Sequence, residues 1–245
     1  MILWSLFAAV VLAAVHILAA RLRIRDIIPR SRWLSMAGGI SVAYVFVHLL
    51  PELALHQRLH TRAYSDDIRT GVDRHVFIFA LAGLVAFYGI EGFVSRRTDR
   101  GSGSEETGGS SVRVFWLHIA AFAAYNAVIG YFLVQRESGS ARSLLLFTIA
   151  ISMHFIVNDY GLRRQHRNRY ARAGRWTLAG GVLGGWALGQ VWEMPQLLLS
   201  ILFGALAGGI VLNVLKEEIP QERQGRFWTF ALGAAGYAMV LLVAP

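Results

Sequence analysis

The chain has 245 residues, 55% of them hydrophobic and only 16% charged, with a mean hydropathy of +0.47, whereas a soluble domain carries about a quarter charged residues. Its net charge of +9 comes almost wholly from arginine, Lys216 being the one lysine, and the arginines sit at the ends of long apolar runs. That pattern specifies an all-α, polytopic membrane protein and excludes most soluble enzyme folds and a nucleic-acid footprint; the absence of cysteine excludes disulfides and thiolate metal sites.

Eight apolar segments predict eight transmembrane helices, at about 1–20, 33–52, 75–94, 113–134, 143–162, 175–192, 195–215 and 227–244. The first has no basic residue ahead of it and runs into Arg21, Arg23 and Arg25, so it reads as a retained span and not as a signal peptide. The whole chain is expected to be one transmembrane domain: a first repeat over about 1–95, central helices over about 113–162 and a second repeat over about 175–245. The third loop, 96–112, is rich in Gly and Ser and reads as a flexible cytoplasmic tether. Odd-numbered loops hold 18 of the 24 Lys and Arg residues, which predicts that they face the cytoplasm and that both termini face outward. Trp33, Trp116, Trp176 and Trp228 stand at the cytoplasmic starts of the even-numbered spans, where an indole prefers the interface.

Span two contains AGGI (Ala37 to Ile40) and ends in HLLPE (His48 to Glu52), and span seven contains AGGI (Ala207 to Ile210) and ends in KEEIPQE (Lys216 to Glu222). The offset is 170 residues at AGGI and 169 at Pro51/Pro220, so one gap aligns the two. The spans run in opposite directions under the loop count, which is the mark of an inverted-repeat transporter; the plain alternative is that glycine pairs recur at helix contacts by chance.

Three spans on either side leave spans four and five as a central pair, and their polar residues lie at one depth: Tyr125 and Asn126 on span four, His154 on span five. Polar groups at mid-membrane need partners, water or an ion. Asn158 shares the face of His154, being four residues on, whereas Asp159 lies about 140° away at 100° per residue. His118 is expected at the depth of Asp159 and is a candidate partner for it; Arg163, four residues from Asp159, is another. Glu91, at the inner end of span three, is expected to pair with Arg96 or Arg97, and Glu218 to cap or solvate a helix end. Each group has a plain reading as packing glue, but a carboxylate at Asp159 costs about 2.5–3.5 kcal/mol to insert, so a place on an ion path stays open for it.

These residues resemble the ZIP (Zrt/Irt-like) divalent metal transporters. His48, Leu49, Leu50, Pro51 and Glu52 match the end of that family's second helix; Lys216 to Gln221 are similar to the end of its seventh; YNAVIG (Tyr125 to Gly130) looks like its fourth-helix motif and HFIVND (His154 to Asp159) falls in register with its fifth. The resemblance implies eight helices in a 3+2+3 inverted repeat with both termini outside. Departures gather at the metal site. Tyr125 stands at the fourth-helix histidine and Ile129 at its carboxylate; Phe155, Val157 and Asn158 replace the fifth-helix carboxylate, proline and second His or Glu. Asn126, Gly130 and His154 are retained, and Asp159 falls where many members have Glu. A Zn2+-like ion takes about four N or O donors, so a binuclear site of the family type is not expected.

The function implied is inward movement of a zinc-like divalent cation across a bacterial inner membrane through spans four and five. His154, Asn158, Asn126, Asp159 and Tyr125 would form the transport site, with His48 and Glu52 at the outer mouth and Glu217 at the inner exit. One three-span repeat would rock against the rest. No permanently bound cofactor is expected, the ion being the substrate, and the partners are the bilayer and that ion, with a homodimer left open. The alternative is a ZIP-like scaffold or regulator that no longer transports. An intramembrane enzyme is not expected, since no H-E-x-x-H or G-x-S-x-G motif is present.

Overall fold

A computed structural model describes residues 2–19, 30–55, 76–101, 108–135, 141–218 and 227–243, and among these the chain is helical almost throughout, with no strand. Eight helices follow in order: α1 (Ile2–Ala19), α2 (Arg30–Tyr44, continued through a π turn at Val45–Leu49 and ending at Leu55), α3 (Val76–Gly101), α4 (Gly108–Gln135), α5 (Ala141–Arg169), α6 (Arg175–Val191), α7 (Gln196–Asn213, continued through a π turn at Val214–Glu218) and α8 (Phe227–Val243). Five of them are long and apolar enough to cross a bilayer, and α1 and α8 are shorter apolar helices. Outward-facing side chains such as Leu81, Val85, Leu232 and Leu242 are exposed and apolar, as lipid-facing surfaces must be.

Helix ends depart from the apolar runs. Positions 96–101 and 108–112, expected in a tether, continue α3 and open α4, while 102–107 lie outside the described residues. Helical hydrogen bonding propagates past the point where hydropathy falls, and the side chains assist: Arg96 donates from Nε to the Gly92 carbonyl at 3.0 Å, and the Arg97 guanidinium lies 5.5 Å from the Phe93 ring centre. For the same reason α5 extends seven residues beyond its expected end, to Arg169.

The chain packs as two compact units that interleave in sequence. Unit one comprises residues 1–27 and 87–192, hence α1, the second half of α3, α4, α5 and α6; unit two comprises 28–86 and 193–245, hence α2, the first half of α3, α7 and α8.

In unit one, α4 and α6 run parallel in backbone contact. A Cβ on Gly181 or Gly185 would strike the carbonyl of Ala123 or Ala127, and one on Gly130 would strike the carbonyl of Val182. Helix α1 lies against both α5 and α6, with the Trp186 indole donating to the Ser5 hydroxyl at 3.1 Å. Between α5 and α6 the chain passes through a π turn at Tyr170–Gly174. A straight helix would hold Asp159 and Leu178 about 28 Å apart at 1.5 Å per residue. Both instead reach one short chain of hydrogen bonds through His16 and Asn126, so the turn reverses the helix sharply. Gly174 allows the turn to close, because a Cβ there would meet the Tyr170 ring and Ile119. Phe115, Ile119, Phe122, Leu162, Tyr170 and Leu178 form the apolar core that this reversal brings together.

Unit two repeats the interlock of α4 with α6 twice. In α4/α6, Gly130 faces the Val182 carbonyl and the Trp186 amide, and Gly185 faces the Ala127 carbonyl. In α2/α8, Gly39 faces the Phe230 carbonyl and the Ala234 amide, and Gly233 faces the Met36 carbonyl. In α7/α3, Gly208 faces the Ala80 carbonyl and the Leu84 amide, and Gly83 faces the Ala205 carbonyl. The residue intervals are identical in the three pairs. Gly39 thereby corresponds to Gly208, an offset of 169, and the π turns at Val45–Leu49 and Val214–Glu218 are also 169 apart. The literal AGGI match, at 170, stands one residue out of this register. Helices α2 and α7 also pack reciprocally, the π turn of each against the α-helical stretch of the other.

Candidate functional site

The polar residues of unit one gather where α1, α4, α5 and α6 meet, and they sort into two connected groups. The first is built on Asp159, whose side chain has 0% exposure. Its carboxylate oxygens lie 2.9 and 3.0 Å from Nδ1 of His16, on α1. Nε2 of His16 lies 2.8 Å from Nδ2 of Asn126, on α4. The same Asn126 nitrogen donates to the Leu178 carbonyl of α6 at 3.4 Å. Where the Asp159 carboxylate accepts from Nδ1–H of His16, Nε2 carries the lone pair and accepts from the Asn126 amide. Both amide hydrogens of Asn126 are then used, and its Oδ1 is buried with no hydrogen-bond partner. The Phe155 ring lies against His16, centroid to centroid 4.3 Å. Beyond Asp159 lies the buried Tyr170 of the π turn, whose phenol is held protonated well above its ordinary range, chiefly by burial and then by the Asp159 charge.

The second group is His154, 2% exposed, whose Nε2 lies 2.9 Å from the Tyr125 hydroxyl. Tyr125 and His154, predicted at one depth from span midpoints, are therefore in contact. Phe155, Ile129 and Val157 are buried as well, and the Phe155 ring lies 6.2 Å from that of His154, centroid to centroid. Asn158 is buried too, and its Nδ2 has no hydrogen-bond partner. Asn126 bonds to His16 and the Leu178 carbonyl, and His154 to Tyr125, so the expected transport-site residues fall into the groups Asp159–His16–Asn126 and Tyr125–His154.

Three expected pairings are corrected. His118 does not pair with Asp159: its Nε2 lies 2.6 Å from Glu91 Oε1, and its Nδ1 lies 3.0 Å from Nε2 of His166. Glu91 accordingly pairs with His118 and not with Arg96, whose Nε is bonded to a backbone carbonyl. Asp159 does not reach out to Arg163; it is sealed inside against His16. For both carboxylates, Glu91 and Asp159, a buried imidazole on a neighbouring helix is a drier partner than an arginine on the same helix, and burial strengthens that contact.

In unit two, His48 and Glu52 form an i,i+4 pair at 3.4 Å, each about a third exposed. Glu217 belongs to the π turn of α7, and its side chain is not among those described; Pro220, Gln221 and Glu222 lie outside the described residues. Sequence reading missed His16. The signal was present, an imidazole inside an apolar span, AAVHILAA, and such a residue is a site candidate by default.

Chemically, Asp159 supplies a carboxylate that His16 holds in place and Asn126 an unused amide oxygen, which together suit a cation better than an anion or an apolar ligand. Among the described residues no three His, Asp or Glu side chains converge on one point. No protein-family model matches the chain, and no curated relative matches it either.

Proposed function

We propose that the chain is an integral membrane transporter of ZIP-like, 3+2+3 inverted-repeat architecture that carries a zinc-like divalent cation inward across a bacterial inner membrane beside α4 and α5. The observation that carries this reading is the fully buried Asp159 carboxylate, bonded to His16, with the unpartnered Asn126 oxygen beside it. A charge kept in a membrane span at that cost, next to an unused oxygen donor, marks an ion path more readily than a packing contact. Tyr125 and His154 line the same region, His48 and Glu52 draw cations at the outer mouth, and Glu217 receives them inside. The reciprocal packing of α2 and α7, with π turns in matching register, supports the inverted repeat.

The test is uptake of Zn2+ into proteoliposomes holding the full chain. Asp159→Asn, which keeps an oxygen for the His16 N–H, should fold and lose uptake. Uptake unchanged in this variant would refute the reading. A second reading, a scaffold of the same fold that moves nothing, is favoured by the closed Tyr125–His154 contact among packed apolar side chains. It requires wild-type flux no greater than that of empty vesicles.

A further inference from the structure

Glu91, His118 and His166 form a connected line of titratable groups that the cargo site does not use. They come from the inner part of α3, from α4 and from α5, all within unit one. Glu91 is 7% exposed and His118 1%, whereas His166 is only half-buried, at the arginine-rich end of α5. The line thus joins a buried carboxylate to a partly exposed imidazole through two short contacts, 2.6 Å and 3.0 Å. His118 sits in the middle and offers one ring nitrogen to each neighbour. Its two nitrogens point to opposite sides of the ring, so the three side chains cannot chelate one ion, but they are well arranged to pass a proton.

We infer that Glu91, His118 and His166 are a proton-transfer chain, with His166 exchanging protons with water and Glu91 as the buried proton-binding group. With Glu91 ionised, His118 donates from Nε2–H to the carboxylate and accepts at Nδ1 from Nε2–H of His166. A proton from hydronium bonds to Nδ1 of His166. The Nε2–H bond of His166 then breaks as an Nδ1–H bond forms on His118. The Nε2–H bond of His118 breaks as an O–H bond forms on Glu91. One proton has entered and one is stored, both imidazoles are again neutral, and both hydrogen bonds persist with their direction reversed. No charged imidazole remains in the buried state, which low polarity would penalise.

Surrounding charges leave this route open. Arg169 on α5 acts on His166, Arg96 on α3 is committed to the Gly92 carbonyl, Arg113 on α4 is exposed, and Arg163 and Arg175 act on Tyr170. The Phe115 ring packs edge-on to His166 and Phe122 to His118, which fixes both imidazole planes.

The test is infrared difference spectroscopy on the full chain in lipid vesicles, acid minus neutral, with no metal added, so the result does not depend on whether the chain carries a cation. A carboxylic-acid C=O band should appear on acidification, vanish in Glu91→Gln and persist in Asp159→Asn. After a pH jump its rise should slow about 100-fold in His166→Phe, the low end of what a positioned acid–base group contributes, with the final amplitude kept. A band insensitive to Glu91→Gln overturns the proposal. So does an unchanged rate in His166→Phe, which also decides the matter should Glu91→Gln not fold, since it leaves the Glu91–His118 contact in place.

Discussion

A hydroxyl that meets an imidazole inside a helix bundle contributes less than its geometry suggests, because the unfolded chain in the membrane finds other partners. Tyr125→Phe should therefore cost only about 0.6 kcal/mol, the average for such contacts. His154→Ala should cost more, since it also empties volume at a buried position beside Phe155. A double-mutant cycle on the two, read by reversible unfolding in mixed micelles, checks this; coupling near zero would mean that the 2.9 Å contact is packing alone. Residue identity and depth were legible in the sequence here, because span midpoints place Tyr125 level with His154 without any knowledge of neighbours. Pairing was not. His16, His118 and Glu91 each found a partner on a different helix, and hydropathy carries no information about which helices adjoin.

Helix contacts in this chain rest on backbone approach, and the three identical glycine interlocks make that testable. Gly185 and Gly184 are adjacent on α6, yet a Cβ on Gly185 would strike the Ala127 backbone while one on Gly184 meets nothing within 4 Å. Gly185→Val should separate α4 from α6 and cost at least the 1–3 kcal/mol typical (roughly) of overpacking, and Gly184→Val should be nearly neutral. Equal thermal stability of the two variants would show that the close approach does not hold the unit together. The glycine-rich spans were visible beforehand as places for close packing, but the register was not. Matching letters set AGGI against AGGI at 170 residues, whereas the backbone contacts and the π turns set it at 169. A letter match cannot see that Gly39 and Gly208 are the glycines holding equivalent places in the two backbone interlocks. The 96–112 segment is helical at its two ends, 96–101 and 108–112, for a related reason: composition marks where a helix leaves the apolar layer, not where its hydrogen bonds stop.

At the scale of the molecule, arginine distribution predicts how the chain sits in a bilayer. A basic side chain near a span end is retained on the cytoplasmic side, and the bias is read from short loops within about 15–20 residues of the membrane. With 18 of 24 basic residues in odd-numbered loops, and six (Arg163 to Arg175) between spans five and six alone, the asymmetry is threefold and not confined to one end. The fourth loop holds only Arg136 and Arg142, and the sixth holds none. The native chain has no cysteine, so a single introduced thiol reports its own side without background. Ser104→Cys in the third loop should resist a membrane-impermeant maleimide added to intact cells and react once the membrane is opened, while Ser138→Cys in the fourth loop should react in intact cells. External labelling at 104 with protection at 138 would invert the topology. His48 and Glu52 would then face the cytoplasm and Glu217 the outside, so the direction proposed for cargo would reverse while the buried Asp159–His16–Asn126 group kept its place on the path. The same labelling fixes which compartment would supply protons to His166, because that residue lies among the six basic residues between spans five and six.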